Sequence, residues 1–136
     1  MDRVTYHEQT DMENILKLRE VLRTLPEFSR DYFRAIDSTT TTKTRISYAY
    51  DIRIFFQFLV NENPLFKDKK ITDLTIDVLD QVQALDIEEF MEYLKVYKDN
   101  QDTYVTNGET GLKRKISTLR SFYNYYFKHC LLYTSD

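Results

Sequence analysis

Glycine, proline and cysteine are scarce in this chain of 136 residues. Its two glycines and two prolines supply little turn-forming chemistry, while Leu, Ile, Phe and Tyr are plentiful. This combination predicts an all-α protein with few hairpins, long enough to bury a real core. The single cysteine, Cys130, excludes an intramolecular disulfide.

Long hydrophobic runs and leader-like segments are also missing. The longest apolar segment, residues 52–60, is interrupted by Arg53 and Gln57 and is far too short to span a bilayer. No charged stretch followed by an apolar one has the form of a secretion signal. We therefore expect a cytoplasmic protein with no membrane partner.

Residues that could hold a metal, a cofactor or a reacting substrate are not grouped. His7 and His129 lie at opposite ends of the chain, and no glycine-rich phosphate-binding motif occurs. Asp51 is the only carboxylate within an aromatic helical segment, where a hydrogen bond to a nearby Tyr or Arg is a better expectation than catalysis. We expect no catalytic residue, metal, cofactor or small-molecule substrate.

Acidic residues slightly outnumber basic ones, 22 to 19, for a net charge of −3, but the two signs are segregated. Residues 38–60 and 111–136 carry +2 and +4, whereas residues 61–110 carry −7. A domain that binds a polyanion on one face and exposes an acidic opposite face to solvent has this distribution of charge, although chance clustering can also produce it. In the acidic region we expect a solvated helix face formed by Glu88, Glu89 and Glu92.

Apolar periodicity predicts a series of helices separated by short polar segments. The predicted helices cover residues 11–25, 27–36, 44–61, 77–82, 87–97 and 111–131. Residues 1–10 are expected to be a frayed end, and residues 100–110 the longest unstructured stretch.

Four helix starts are assigned to capping side chains. Asp11 is predicted to cap the first helix, Thr75 the short fourth one and Thr110 the last one. Asp86 with Glu89 resembles a capping box at the start of the fifth helix.

The helices at 44–61 and 111–131 each combine a buried stripe with a polar face. The predicted buried residues are Tyr48, Ile52, Phe55, Phe56 and Leu59 on the first, and Leu112, Ile116, Leu119, Tyr123 and Tyr126 on the second. Lys43, Ser47, Tyr50 and Ile54 lie on a neighbouring face of the first, and Lys113, Ser117, Arg120 and Asn124 lie on a second face of the other. Basic residues beside Ser and Thr at helix starts suit phosphate binding, so the partner is nucleic acid or, alternatively, an acidic protein bound by a helical interaction module.

Two segments together resemble one known domain. Residues 44–59, TRISYAYDIRIFFQFL, resemble the pattern T-x-x-x-Y-x-x-D-[LI]-x-x-F-x-x-[FW]-L of the N-terminal core-binding domain of tyrosine recombinases of the phage integrase family. Residues 115–126, KISTLRSFYNYY, resemble the last main helix of that domain, with its [RK]-x-[LI]-S-x-[LI]-R-x-[FL]-[FY]-x-[YF] signature. Residues 86–90, DIEEF, stand where the family has its third helix.

The resemblance implies a small orthogonal bundle of four to five helices of the SAM-like type. Residues 25–132 would form the DNA-binding core-binding domain. Residues 1–24 would be an extension with one extra helix, which could serve as an arm for DNA or for a neighbouring subunit, and residues 133–136 would be a tail. The family's catalytic domain would follow the last helix, so we expect a non-catalytic fragment of a site-specific recombinase, from an integrative mobile element.

In that family the second and last main helices approach the major groove of DNA. When the family's DNA contacts are transferred to the matching positions of this sequence, they fall on two helices and include phosphate ligands. The implied residues are Lys43, Thr44, Ser47, Tyr50, Arg53, Thr110, Lys113, Arg114, Ser117 and Arg120. The expected partners are double-stranded DNA and other recombinase protomers on that DNA, with strand exchange left to the absent domain.

Overall fold

The computed structural model of the chain describes residues 5–127. Residues 1–4 and 128–136 lie outside the described part, and with them the end of the last predicted helix, His129, Cys130 and the predicted tail. The α-helices are α1 (Tyr6–Leu22), α2 (Arg30–Ala35), α3 (Thr42–Glu62), α4 (Val78–Gln81), α5 (Ala84–Lys95) and α6 (Glu109–Tyr126), and the strands are β1 (Val96–Lys98) and β2 (Tyr104–Thr106). The all-α prediction is confirmed, and no helix of the described part is long and apolar enough to cross a membrane.

The first helix starts earlier than its apolar pattern indicates. The Thr5 hydroxyl accepts the N–H of Glu8 at 3.1 Å, and the Glu8 carboxylate accepts the N–H of Thr5 at 3.4 Å. This reciprocal capping box satisfies two of the free N–H groups at the start of α1. The prediction of Asp11 as the cap was therefore wrong, and so was a frayed end over residues 6–10.

The core is built around α3. Its side chains Ala49, Ile52, Phe55, Phe56 and Leu59 are fully buried, whereas Tyr48 is half-buried. The helix begins at the Thr41 cap and ends at Glu62, because Asn63 precedes Pro64 and takes an extended conformation. α1, α5 and α6 all pack against it. The end of α1 contributes Val21 to the same core.

Two further helix starts differ from the predicted ones. Asp86 is the third residue of α5 and not its cap, and its carboxylate accepts the N–H of Gln83 at 2.8 Å. The Thr75 carbonyl oxygen accepts the N–H of Val78 at 3.0 Å. No side chain caps α4, so the Thr75 hydroxyl does not have that role. Both capping assignments were wrong: α5 starts at a capping box formed by Gln83 and Asp86, and the bond from Val78 to Thr75 before α4 is a backbone bond.

The chain leaves α5 as a short antiparallel hairpin in which Tyr97 lies opposite Val105. Its turn is organised by Asp99, whose Oδ1 accepts the N–H of Gln101 at 2.9 Å and the N–H of Thr103 at 3.0 Å. The prediction of helix through Tyr97 and of an unstructured segment at 100–110 was wrong. Residues 96–98 pair with residues 104–106 as strands, and the Asp99 side chain stabilises the turn between them, which is a known tendency of aspartate.

The last helix, α6, starts at a glycine. Gly108 is the cap, without a side-chain hydrogen bond, so Thr110 lies within the first turn and its assignment as the cap was wrong. Leu119 and Tyr126 are buried as expected, and Phe122 joins them. The remaining predicted stripe residues, Leu112, Ile116 and Tyr123, are half-buried against the core.

Candidate nucleic-acid interface

A buried carboxylate joins the two helices that were predicted to contact DNA. The Asp51 side chain on α3 is only 3% exposed. Arg114 on α6 donates from Nη1 to its Oδ2 at 2.6 Å and from Nη2 to its Oδ1 at 3.0 Å. The Thr118 hydroxyl donates to Oδ2 at 3.1 Å. The expected arginine partner of Asp51 is thus found 63 residues away in sequence.

The electrostatics of this pair favour a structural role for Asp51. Burial raises the pKa of the Asp51 carboxyl, and the Arg114 guanidinium and the Thr118 hydroxyl oppose that shift. A two-point arginine–carboxylate pair has a defined geometry as well as a favourable energy. We therefore assign to Asp51 the task of holding α3 and α6 in one relative position.

Arg114 also reaches the polar face of α3. Its Nη1 donates to the Ser47 hydroxyl at 3.2 Å, and Ser47 is exposed. A guanidinium has five N–H donors, and the bonds to Asp51 and Ser47 use three of them. The Arg114 side chain is 47% exposed, so its remaining donors can reach a ligand.

The start of α3 presents hydroxyl groups and one free cation. The Thr41 hydroxyl accepts the N–H of Thr44 at 3.1 Å and bonds to the Thr44 hydroxyl at 2.9 Å. Lys43 is exposed, and no ion-pair partner lies near it among the described residues. A helix start with these groups attracts anions, because the helix dipole and the first N–H groups add to the positive side chain.

The outer face of α6 matches the predicted polar face. Lys113, Ser117, Arg120 and Asn124 are all exposed, as is Thr110 in the first turn. Lys113 pairs with Glu109 at 3.3 Å, but both side chains are largely in solvent. Such an exposed pair contributes little, so Lys113 can exchange Glu109 for a phosphate at small cost.

Tyr50 and Arg53 form a separate pair on α3. The Arg53 guanidinium lies 4.8 Å from the centre of the Tyr50 ring, and its Nη1 donates weakly to the Thr24 hydroxyl at 3.4 Å. Both residues line a crevice of about 270 Å³ between α3 and the hairpin, shared with Tyr97. They therefore belong to the side of α3 that faces the hairpin and the end of α1.

Arg120 lies apart from both the Ser47–Arg114 contact and the Tyr50–Arg53 pair. It borders a crevice of about 280 Å³ that α6 forms with the α4–α5 connection, which contributes Val82, and with the start of α5, which contributes Ile87. No hydrogen bond or ion pair joins Arg120 to α3 in the described part of the chain. Among the ten implied DNA-binding residues, direct contacts join Ser47 with Arg114 and Tyr50 with Arg53.

Sequence reasoning missed one residue that shapes this surface. Arg45 is buried, and its Nη1 donates to the carbonyl oxygens of Asp37 and Thr40 at 2.8 and 2.7 Å. Its Nη2 pairs with the Asp37 carboxylate at 3.2 Å and donates to the Thr42 hydroxyl at 3.1 Å. Arg45 therefore fixes the loop before α3. Its spacing of four from Ala49 placed it on the buried side, which is the signal that could have identified it.

Lys115 anchors the start of α6 to α5. Its Nζ donates to the Asn107 side-chain oxygen at 2.7 Å, and the Asn107 amide donates to the Leu94 carbonyl at 2.7 Å. Burial and the neighbouring Arg114 charge lower the pKa of Lys115. This half-buried lysine supports the interface and is not on its outer surface.

Curated proteins similar to this chain carry one common description. The tyrosine recombinase XerC of Caldanaerobacter subterraneus subsp. tengcongensis is 29% identical over 104 residues, covering 72% of this chain and 27% of the relative. The tyrosine recombinase XerS of Streptococcus uberis is 28% identical over 113 residues, covering 80% and 31%. XerS of Lactococcus lactis subsp. cremoris is 29% identical over 118 residues, covering 84% and 32%.

The chain is similar in sequence to tyrosine recombinases. This similarity extends over most of the chain, 72–84% of it, in agreement with the resemblance of its two helices to recombinases. The chain spans about a third or less of the length of these recombinases, 27–32%. No family model matches the chain, and no solved structure matches it.

Proposed function

We propose that this chain is the DNA-binding core-binding domain of a tyrosine-type site-specific recombinase. In this proposal it grips one recombination half-site through the major groove, while a further domain of the parent protein cuts and rejoins the strands. The observation that carries the proposal is the contact between Ser47 and Arg114, which joins two helix starts rich in basic and hydroxyl groups. Homology to tyrosine recombinases supports double-stranded DNA as the ligand.

The implied contact residues take different roles in this proposal. Lys43, Thr44 and Ser47 on α3, and Thr110, Lys113 and Ser117 on α6, bind phosphates and base edges near the two helix starts. Arg114 adds the donors that Asp51 and Ser47 leave unused. Tyr50, Arg53 and Arg120 extend the contact to either side, where the DNA backbone continues past the groove.

The proposal is tested by fluorescence anisotropy with a short duplex at two salt concentrations. The variant Lys43→Ala/Lys113→Ala removes one cation from each helix start, and we expect affinity to fall on the order of tenfold for every duplex sequence. The slope of log K against log salt should also become shallower by roughly 0.9 for each phosphate that the variant no longer neutralises.

The matched control is Lys69→Ala/Lys70→Ala, which removes the same charge from two exposed loop residues. It should bind within about twofold of the unaltered chain, since these lysines are outside the proposed contact surface. An equal fall in affinity for both variants would mean that only net charge matters, and the assigned face would be wrong. A chain that binds polyglutamate as well as duplex DNA would instead be a module for acidic proteins.

A further inference from the structure

The crevice of about 270 Å³ between α3 and the hairpin has a mixed lining. To this lining α3 contributes Tyr50, Arg53 and Ile54. The hairpin contributes Tyr97 of β1 and Val105 of β2, which lie opposite each other in the strand register. Aromatic and aliphatic walls with a few polar groups are typical of sites that hold a small planar molecule. We call this feature the hairpin crevice.

Tyr97 is the last ring of an aromatic row that leads into the hairpin crevice. The ring centres of Phe58 and Tyr93 are 5.0 Å apart, and those of Tyr93 and Tyr97 are 5.1 Å apart, with the latter two rings inclined by only 20°. Tyr93 thus has two ring neighbours, whereas Tyr97 has only Tyr93 among the described residues. A further flat ring can therefore continue the row at Tyr97, because offset stacking at such distances is favourable.

Groups that bind phosphates and base edges surround this stacking position. The bond from Arg53 to the Thr24 hydroxyl is long, at 3.4 Å, so the guanidinium can turn to a phosphate at small cost. The Asn100 amide also lines the crevice. Burial raises the pKa of the Tyr97 hydroxyl, which therefore remains a donor at neutral pH. Asp99 is the acidic group of the lining, and its Oδ1 already accepts two backbone N–H groups of the turn.

These groups suit an unpaired nucleotide better than a base pair or a phosphate alone. A base within a duplex has both faces covered by its neighbours, so only an unpaired base can stack on a tyrosine ring. A phosphate alone would gain nothing from the aromatic row. The crevice also adjoins the proposed duplex contact, because Tyr50 and Arg53 follow Ser47 by roughly 5 and 9 Å along the axis of α3.

We propose that the hairpin crevice binds one unpaired nucleotide at the edge of the duplex that α3 and α6 hold. The base stacks on Tyr97 and extends the aromatic row, while its phosphate pairs with Arg53. The Asn100 amide is available to the base edge. This inference rests on the proposed function and adds to it a preferred form of DNA. The chain favours a duplex that opens beside the contact over one that is fully paired.

Fluorescence anisotropy with three probes of equal paired length tests this site. The first probe is a blunt duplex, the second has unpaired thymidines on both strands at one end, and the third has abasic nucleotides in place of those thymidines. The thymidine fork should bind about tenfold more tightly than the abasic fork, which is the contribution expected of one base stacked on an aromatic ring. Both forks carry the same phosphates, so this ratio isolates the bases.

Substitutions at two tyrosines of the hairpin show where the base binds. Tyr97→Leu should bind both forks equally and keep the affinity of the unaltered chain for the blunt duplex, since leucine fills space but cannot stack. Tyr97→Phe should keep the tenfold preference, because the ring remains. Tyr104→Leu is the matched control, and it should also keep the preference. Tyr104 is 68% exposed, and its ring lies 5.2 Å from the Lys98 Nζ, on the other face of the hairpin from Tyr97.

A fluorescent base, 2-aminopurine, at the first unpaired position adds a readout that needs no variant. Its emission should fall when the unaltered chain binds, because stacking quenches it, and unchanged emission in the bound state would overturn the inference. Equal affinities for the two forks, with the blunt duplex still bound, would overturn it and leave the proposed function standing. A preference that Tyr97→Leu retains would place the base elsewhere and overturn the assigned site. Failure to bind any of the three probes would refute the proposed function, and this inference with it.

Discussion

Asp51 is the residue on which the geometry of the interface depends most. Its carboxylate is buried at the junction of α3 and α6, with two bonds from Arg114 and one from Thr118. Removing one partner of a buried ion pair is costly because the other charge is left without compensation. Here Arg114 is 47% exposed and can turn to solvent, which reduces that cost.

We expect Asp51→Asn to lower the free energy of unfolding by about 1–3 kcal/mol. The amide keeps the shape of the carboxylate but cannot accept two bonds from Arg114. Urea denaturation of Asp51→Asn, Arg114→Met and the double variant gives the coupling energy between the two residues. A coupling energy close to zero would contradict the role assigned to Asp51 as the link between α3 and α6.

At the scale of elements, the helix starts decide where functional groups are presented. α1 and α3 begin at threonine side chains that accept N–H groups, whereas α6 begins at Gly108 without such a bond. Gly108 has an extended backbone, and a Cβ added there would meet no atom within 4 Å. The start of the proposed contact helix is therefore less firmly capped than that of α3.

We expect Gly108→Ser to stabilise the chain, whereas Gly108→Ala does not supply a cap. Serine should exceed alanine by about 1 kcal/mol in the free energy of unfolding, because its hydroxyl can accept a free N–H of the first turn. Thermal and urea unfolding of the two variants isolate the hydroxyl, since neither variant has the flexibility of glycine. Equal stabilities would show that α6 gains nothing from a side-chain cap.

Prediction from the sequence worked where the signal was local and periodic, and failed where it depended on distant partners. The spacing of Ile52 and Phe55 predicted the buried side of α3 correctly. The hairpin was missed because its turn is formed by hydrogen bonds to the Asp99 side chain, which apolar periodicity does not indicate. The Arg114–Asp51 bond could not be predicted from the sequence, because its two residues are 63 positions apart and only the folded chain brings them together.

At the scale of the whole molecule, basic and acidic residues that are separated along the chain also lie on different surfaces. The exposed cations Lys43, Lys113 and Arg120 lie on α3 and α6, whereas Glu88 and Glu89 lie on the outer side of α5. A polyanion is attracted to the first surface and repelled by the second. The account therefore assigns DNA to the starts of α3 and α6, and not to α5.

The most direct test of this division is a titration of the isotope-labelled chain with a short DNA duplex, followed by backbone amide chemical shifts. We expect the largest shift changes at residues 41–47 and 108–117, with the amides of α5 between Glu88 and Glu92 unchanged. The salt concentration should be kept low, since the expected affinity of phosphate contacts falls steeply with salt. Shift changes centred on α5, or spread evenly over all basic residues, would contradict the assignment of the DNA-binding face.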